Sequence, residues 1–189
     1  MKTISMSGSL RENVGKKSVK QVRKQGLVPV ALYGHGEQKL LSIEEKQINK
    51  AVFSPDVYLI ELDVNGKRHL AILQEVQFHP VTDQILHVDL LDVRPDKPVV
   101  VSLPIKITGN SLGVLKGGKL VKKFRKLKVK GLVEHLPEQI TIDITNLDIN
   151  NSIKVSDMKN DHLTFLDNPS SVIVAVLPTR AAMAQESGK

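Results

Sequence analysis

The sequence predicts a mainly β protein with short helices, organised as two β-rich parts. Three observations carry this. Aromatic residues reach only 3% and Trp is absent, so the 41% of hydrophobic residues must build a core chiefly from Val, Ile and Leu; β-branched side chains favour the pleated, half-buried surface of a sheet. Apolar residues alternate with polar ones over several short runs, the period of a strand with one face buried. Finally, 189 residues with 25% charged is a globular composition, long enough for two domains of about 90 residues each.

The elements follow in order. Ser18 to Gln25 reads as a short basic helix stopped by Gly26, ahead of Pro29. Val28 to Tyr33 reads as a strand. Ser42 and Glu45 have the spacing of a capping box, which predicts a helix through about Phe53 with Ile48, Ala51 and Val52 on one face. Val57 to Val64 and Arg68 to Phe78 are strand-like runs joined by Asn65-Gly66, a pair that tolerates the positive φ of a type I′ hairpin turn. Ile85 to Val93 is a further strand. Arg94-Pro95-Asp96-Lys97-Pro98 then forms a stiff linker, because each proline removes a donor and holds its predecessor extended. Beyond it, Val99 to Thr108, Leu127 to Leu132, Gln139 to Ile144 and Ser171 to Leu177 are the expected strands, and Gly117-Gly118 a turn. After Pro178 no periodicity remains. The expected organisation is therefore a domain over 1–94, a second β-rich domain over 95–178, and a mobile tail over 179–189.

A net charge of +7 suits a polyanionic partner, and its distribution is more informative than its size. Residues 1–24 hold seven Lys or Arg against one acid, Glu12, with Arg11, Lys16, Lys17, Lys20, Arg23 and Lys24 crowded around Gly15. Such a stretch is either a phosphate-tracking surface or a solvated charged face. Residues 116–130 carry eight Lys or Arg and no acid, with Lys126, Lys128 and Lys130 alternating with Leu127 and Val129. That stripe has two structural explanations: it balances the acids that follow over 134–167, or it protects an edge strand from aggregation. With no Cys in the chain, disulfides, thiolate catalysis and thiolate zinc sites are excluded. No secretory h-region or spanning apolar run is visible, so a cytoplasmic protein with no membrane partner is expected.

One segment has the residue types of an active site. His79, Asp83, His87 and Asp89 fall within eleven residues, enough to consider a metal or acid–base chemistry. No HExxH helix, phosphate loop or nucleophile elbow accompanies them, and the expectation is a non-enzyme without cofactor, metal or small-molecule substrate. On a strand, His87 and Asp89 point to one face while Leu86, Val88 and Leu90 point to the other. Such a polar pair, and Tyr33 at the end of its strand, suit contacts to RNA groups as well.

Several blocks in order resemble a known family. Leu10-Arg11, Gly15-Lys16-Lys17, Val22-Arg23-Lys24-Gln25-Gly26 and Val28-Pro29-Val30-Ala31-Leu32-Tyr33-Gly34 are similar to the bacterial large-subunit ribosomal protein family that binds 5S rRNA, number twenty-five in the standard series. Val76-Gln77-Phe78-His79-Pro80 and Leu86-His87-Val88-Asp89 resemble its second signature. Gly117-Gly118-Lys119-Leu120, Leu136-Pro137-Glu138-Gln139-Ile140 and Ser152-Ile153-Lys154-Val155-Ser156-Asp157 resemble the C-terminal domain of its long form, also called general stress protein Ctc. The sequence departs from the family at Asn150-Asn151, where Gly-Asp is usual, and at Lys17 and Lys24, where many relatives carry Arg; that second change keeps charge and loses bidentate geometry. The resemblance implies an N-terminal β-barrel that binds the loop E region of 5S rRNA, with Arg11, Arg23, Tyr33, His87 and Asp89 at RNA-contacting positions and Lys16, Lys17 and Lys20 adding nonspecific attraction. It implies a C-terminal domain lying against neighbouring large-subunit components. The alternative is a general RNA-binding or adaptor protein linked to translation under stress.

Overall fold

The structure is a computed structural model that describes residues 1–12, 15–34, 36, 38–158, 160 and 162–179. His35 and all of the expected tail except Thr179 lie outside the described residues. The chain divides into two compact units, Met1–Val101 with Leu132–Glu138, and Ser102–Gly131 with the chain from Gln139 onward. Among the described residues no helix is long and apolar enough to cross a membrane.

The first unit is built on strands β1 (Lys2–Leu10), β2 (Leu27–Tyr33), β3 (Lys39–Glu44), β4 (Tyr58–Val64), β5 (Lys67–Phe78) and β6 (Ile85–Asp92), with helices α1 (Lys16–Lys24) and α2 (Glu45–Val52). The strands close into a barrel in the order β1-β3-β2-β6-β5-β4. β1 closes it by pairing in parallel with β4, from Lys2 opposite Tyr58 to Gly8 opposite Val64. Alternation then fixes the two faces. Val28, Val30, Leu32, Leu41, Ile43, Ile60, Leu62, Val88 and Leu90 fill the interior, and Ile48 and Ala51 of α2 join that core. Gly8 fits because the interior is tight there: an added Cβ would lie 3.2 Å from Ile43 Cγ1. The Asn65-Gly66 turn joins β4 to β5 with φ of 54° and 83°, and the Gly66 N–H donates to Asp63 Oδ1 at 2.8 Å.

The helix expected to open at Ser42 begins at Glu45. Ser42 lies within β3, 8% exposed, with its hydroxyl 2.9 Å from that of Ser9 on β1. Glu44 occupies the N-cap without a side-chain bond. Leu41 and Ile43 are 0% and 1% exposed, and burying two large aliphatics in the barrel outweighs a local cap of about 1 kcal/mol.

The second unit holds two sheets. β7 (Val99–Thr108, in this unit from Ser102 on), β9 (Lys126–Gly131), β10 (Ile140–Asp143) and β12 (Thr164–Phe165) form a four-stranded sheet in the order β10-β7-β9-β12. β8 (Lys119–Lys122), β11 (Ser152–Lys154) and β13 (Val172–Leu177) form a second, with β13 central. A short helix, α3 (Leu112–Leu115), is capped by Ser111, whose Oγ accepts from Val114 N. The expected turn at Gly117-Gly118 closes α3, with Gly117 at φ 88° and Gly118 so close to Val176 that a Cβ would lie 2.6 Å from its Cγ1.

Leu62, 0% exposed at the middle of the barrel, tests the packing account. Leu62→Ala is expected to lower unfolding free energy by about 2–5 kcal/mol in a denaturant titration. A loss below about 1 kcal/mol would mean that the barrel interior collapses around the gap rather than being held by closure.

Candidate nucleic-acid interface

α1 is the most basic element of the first unit. Val19 and Val22 are its half-buried apolar residues, and it packs on β2, where Pro29 and Ala31, turned outward by strand alternation, are buried. Lys16, Lys17, Lys20, Arg23 and Lys24 remain exposed, and the helix has no acid in its first turn. Lys16 and Lys17 at the positive end of the helix dipole oppose it, at a cost of a few tenths of a kcal/mol each. An anion placed there would reverse that cost.

Two arginines fasten α1 to the barrel on opposite flanks. Arg23 donates from Nε at 3.0 Å and from Nη2 at 2.7 Å to the Leu86 carbonyl. That carbonyl is available because Leu86 is the extra residue of a bulge: Gln77 pairs with His87 and Phe78 with Ile85, leaving Leu86 without a partner in the ladder. It also changes the inward set of β6, where Ile85 is 4% exposed and Leu86 only half-buried. On the other flank, the Arg11 backbone N–H donates to Leu40 O at 2.9 Å and its guanidinium lies 3.4 Å from Ser18 Oγ. Both arginines thus carry positional work, and the Arg23 guanidinium retains N–H groups for a second acceptor.

Beside Leu86, His87 and Asp89 occupy the outer face of β6 as alternation predicts. His87 Nδ1 lies 3.0 Å from Asp89 Oδ1. A carboxylate only accepts, so the pair places a ring proton on Nδ1 and fixes the orientation of the ring. Tyr33, 36% exposed at the end of β2, belongs to the same patch: burial, then the Asp89 and Glu75 carboxylates, push its phenol above the ordinary value. It therefore remains an O–H donor throughout the neutral range. The structure brings Arg23, His87, Asp89 and Tyr33 onto one outer surface next to α1, and sets Arg11 on the β3 side.

Some neighbours were not legible in the sequence. Glu75 and Gln77 stand opposite Asp89 and His87 on the outer face, because a bulge at Gln74 shifts the alternation of β5 by one residue. Phe53 and Phe78, 64% and 42% exposed, form a tilted ring pair at 6.1 Å. At one end of the barrel Lys39 Nζ, His69 and Asp92 form a chain, with His69 Nε2 at 3.2 Å from Lys39 and Nδ1 at 3.1 Å from Asp92. The pairing of His69 with the buried Leu62 shows that His69 points inward; the sequence signal was its place in the alternation of β5.

The alternative metal or acid–base site is not assembled. His79 Nδ1 accepts from Val81 N and Thr82 N at 3.3 Å each, organising the turn in which Asp83 adopts φ 55°. Among the described residues, no three His, Asp or Glu gather as a ligand set.

Comparison with known proteins agrees with this architecture. Residues 6–90 match the family model described as the Ribosomal L25p family, and residues 98–180 match that described as ribosomal protein TL5, C-terminal domain. The chain is 41% identical over 184 residues to the large ribosomal subunit protein bL25 of Porphyromonas gingivalis, covering 96% of each. It is 39% identical over 188 residues to that of Azobacteroides pseudotrichonymphae, covering 99% of this chain and 100% of the relative. The chain belongs to the Ribosomal L25p family. It is a family of structural ribosomal proteins, not of enzymes.

The position of Tyr33 depends on its neighbour. A Cβ added at Gly34 would lie 2.5 Å from the Asp92 carbonyl oxygen, so β2 and β6 approach this closely only with glycine there. Gly34→Ala is expected to destabilise the protein by about 1–3 kcal/mol and to shift the Tyr33 phenol resonance; unchanged stability and an unmoved resonance would contradict the close approach.

Proposed function

We propose that this protein is a structural constituent of the bacterial large ribosomal subunit, and that its N-terminal domain, residues 1–94, binds the loop E region of 5S rRNA. The observation that carries this is the acid-free row of exposed cations on α1, fastened by Arg23 to the strand that bears His87 and Asp89. Family membership supports the ribosomal assignment, since the relatives named above are large ribosomal subunit proteins, and it implies a ribosome-associated place in the cytoplasm. Neighbouring large-subunit components are the further partners, with residues 95–178 as a separate domain.

The roles divide by chemistry. Lys16, Lys17 and Lys20 neutralise phosphates and supply attraction that carries no sequence information. Arg23 holds α1 against β6 and offers its remaining N–H groups to phosphate or a base edge. Arg11 does the same from the β3 side. Asp89 repels phosphate, so its place in the patch requires a compensating contact: it accepts from a base amino group in a minor groove and orients the His87 ring. Tyr33 contributes its ring face and its O–H.

Binding to 5S rRNA and to a length-matched hairpin RNA across a salt series tests this reading. The wild type is expected to hold 5S rRNA at salt concentrations that release the hairpin. Lys20→Ala should weaken both RNAs alike and flatten the log–log salt slope by about 0.7–0.9. Asp89→Ala should cost about 1–3 kcal/mol for 5S rRNA only. Equal, steeply salt-sensitive binding to both RNAs by the wild type would overturn the proposal.

A further inference from the structure

In the basic stripe of the second unit, Lys116 pairs with Asp148 and Lys122 Nζ donates to the Ile105 carbonyl, which leaves the three lysines of β9 to be accounted for. On β9, Leu127 and Val129 are 0% exposed, while Lys126, Lys128 and Lys130 are exposed on the opposite face. Two explanations were open on sequence grounds. The first, protection of a sheet edge, fails over Lys128–Lys130, because β12 pairs there with β9 on the side away from β7. At Lys128 the outer backbone groups are engaged as well: its O accepts from Leu166 N at 2.9 Å, and its N donates to Asp167 Oδ2 at 2.7 Å.

The second, charge balance by the acids that follow, reaches Lys116 but, among the described residues, no lysine of β9. Asp143 accepts from the backbone N–H and hydroxyl of Thr145. Asp148 accepts from Ile149 N at 2.8 Å and pairs with Lys116 at 2.6 Å. Asp157 accepts from Lys154 N at 2.8 Å and Ser156 Oγ at 3.2 Å. Lys126, Lys128 and Lys130 form no ion pair with a described residue. Three like charges on alternate residues of one strand, about 6.7 Å apart along it, repel one another.

On this face the strands expose four lysines (Lys106 on β7 with the three of β9), Thr141, Thr164 and, on the far edge strand β10, Asp143, with half-buried Pro104 and exposed Val100 on β7 as the apolar residues. Cations predominate and no aromatic is present, whereas the centre of a protein–protein interface is depleted of charge and enriched in aromatics. Evenly spaced cations and hydroxyls fit a repeating anion. We infer that the outer face of the β10-β7-β9-β12 sheet is a second RNA-binding surface, which tracks the phosphate backbone of an RNA segment through Lys126, Lys128 and Lys130. Its lysines act on phosphate as point charges without the planar fork that fixes a bidentate contact, so the attraction follows the backbone rather than the sequence. This inference extends the proposed function to a second surface, and its test does not require that 5S rRNA be the ligand of the first.

The experiment uses the full chain carrying Lys16→Gln, Lys17→Gln and Lys20→Gln, so that the charge of α1 is reduced, with a fluorescent 20-base-pair RNA duplex of arbitrary sequence as the probe. Adding Lys126→Gln, Lys128→Gln and Lys130→Gln is expected to weaken probe binding at least about tenfold at low salt and to reduce the log–log salt slope by about 2–3. The corresponding three Arg substitutions should retain both, which separates charge from fold. Unchanged affinity and slope in the Gln variant would overturn the inference, as would displacement of the probe by polyglutamate at lower concentration than by unlabelled RNA, which would indicate an acidic protein partner. A wild type that shows no preference for 5S rRNA would count against the first surface and leave this comparison intact.

Discussion

The parallel pairing of β1 with β4 is the contact on which the first unit depends. It joins residues separated by more than fifty positions, from Lys2 with Tyr58 to Gly8 with Val64, and turns a six-stranded sheet into a closed barrel. Closure sets what the surface can do. A barrel has no free edge to which another strand could add, so recognition must pass through outward side chains and through whatever packs on the outside. It also fixes which residues point outward, because the inward positions along the middle of the barrel are taken by a core of close-packed apolar side chains that tolerates little change in volume. His87, Asp89 and Tyr33 are presented rigidly because Val88, Leu90 and Leu32, beside them in sequence, are held in that core.

On this rigid wall α1 is the marginal element. Nine residues are too few for a stable isolated helix, and none of them is buried. Its place is set by half-buried Val19 and Val22 and by the hydrogen bonds of Arg23 to a carbonyl that a β-bulge exposes. The same bulge that frees Leu86 therefore sets the distance between the cationic helix and the His87–Asp89 pair. Charge supplies attraction and salt dependence, while the fixed polar pair supplies discrimination; one irregularity in the sheet couples them.

The elements legible in the sequence were those in which local pattern and tertiary need agree. β4, β5 and their Asn65-Gly66 turn, β7 and β13 follow directly from alternation and turn chemistry. β1 did not show itself, because its inward residues include Gly8 and it is otherwise rich in Ser and Thr; it is a strand because the barrel needs a closing partner, not because of its own pattern. β3 was hidden by the capping-box spacing of Ser42 and Glu45, a local preference overridden by the burial of Leu41 and Ile43. In the interface, the cations of α1 and the common face of His87 and Asp89 could be read from spacing. The partner of Arg23 could not, since it is a backbone carbonyl released by a bulge, and neither could Glu75 and Gln77, whose face depends on the bulge at Gln74. In the second unit the sequence left the purpose of the 116–130 stripe open. Only the structure shows which of its cations meet an acid: Lys116 pairs with Asp148, whereas the lysines of β9 form no ion pair with a described residue.

The central claim is that one outer face of the barrel, from α1 to Tyr33, is the surface that meets 5S rRNA. Amide chemical-shift mapping of the isotopically labelled protein, on titration with a loop E fragment of 5S rRNA, tests it most directly. The account predicts shifts concentrated at residues 16–24, Tyr33 and 85–89, with the amides of α2 unmoved. Shifts centred on α2 and the Phe53–Phe78 pair, with α1 silent, would contradict it.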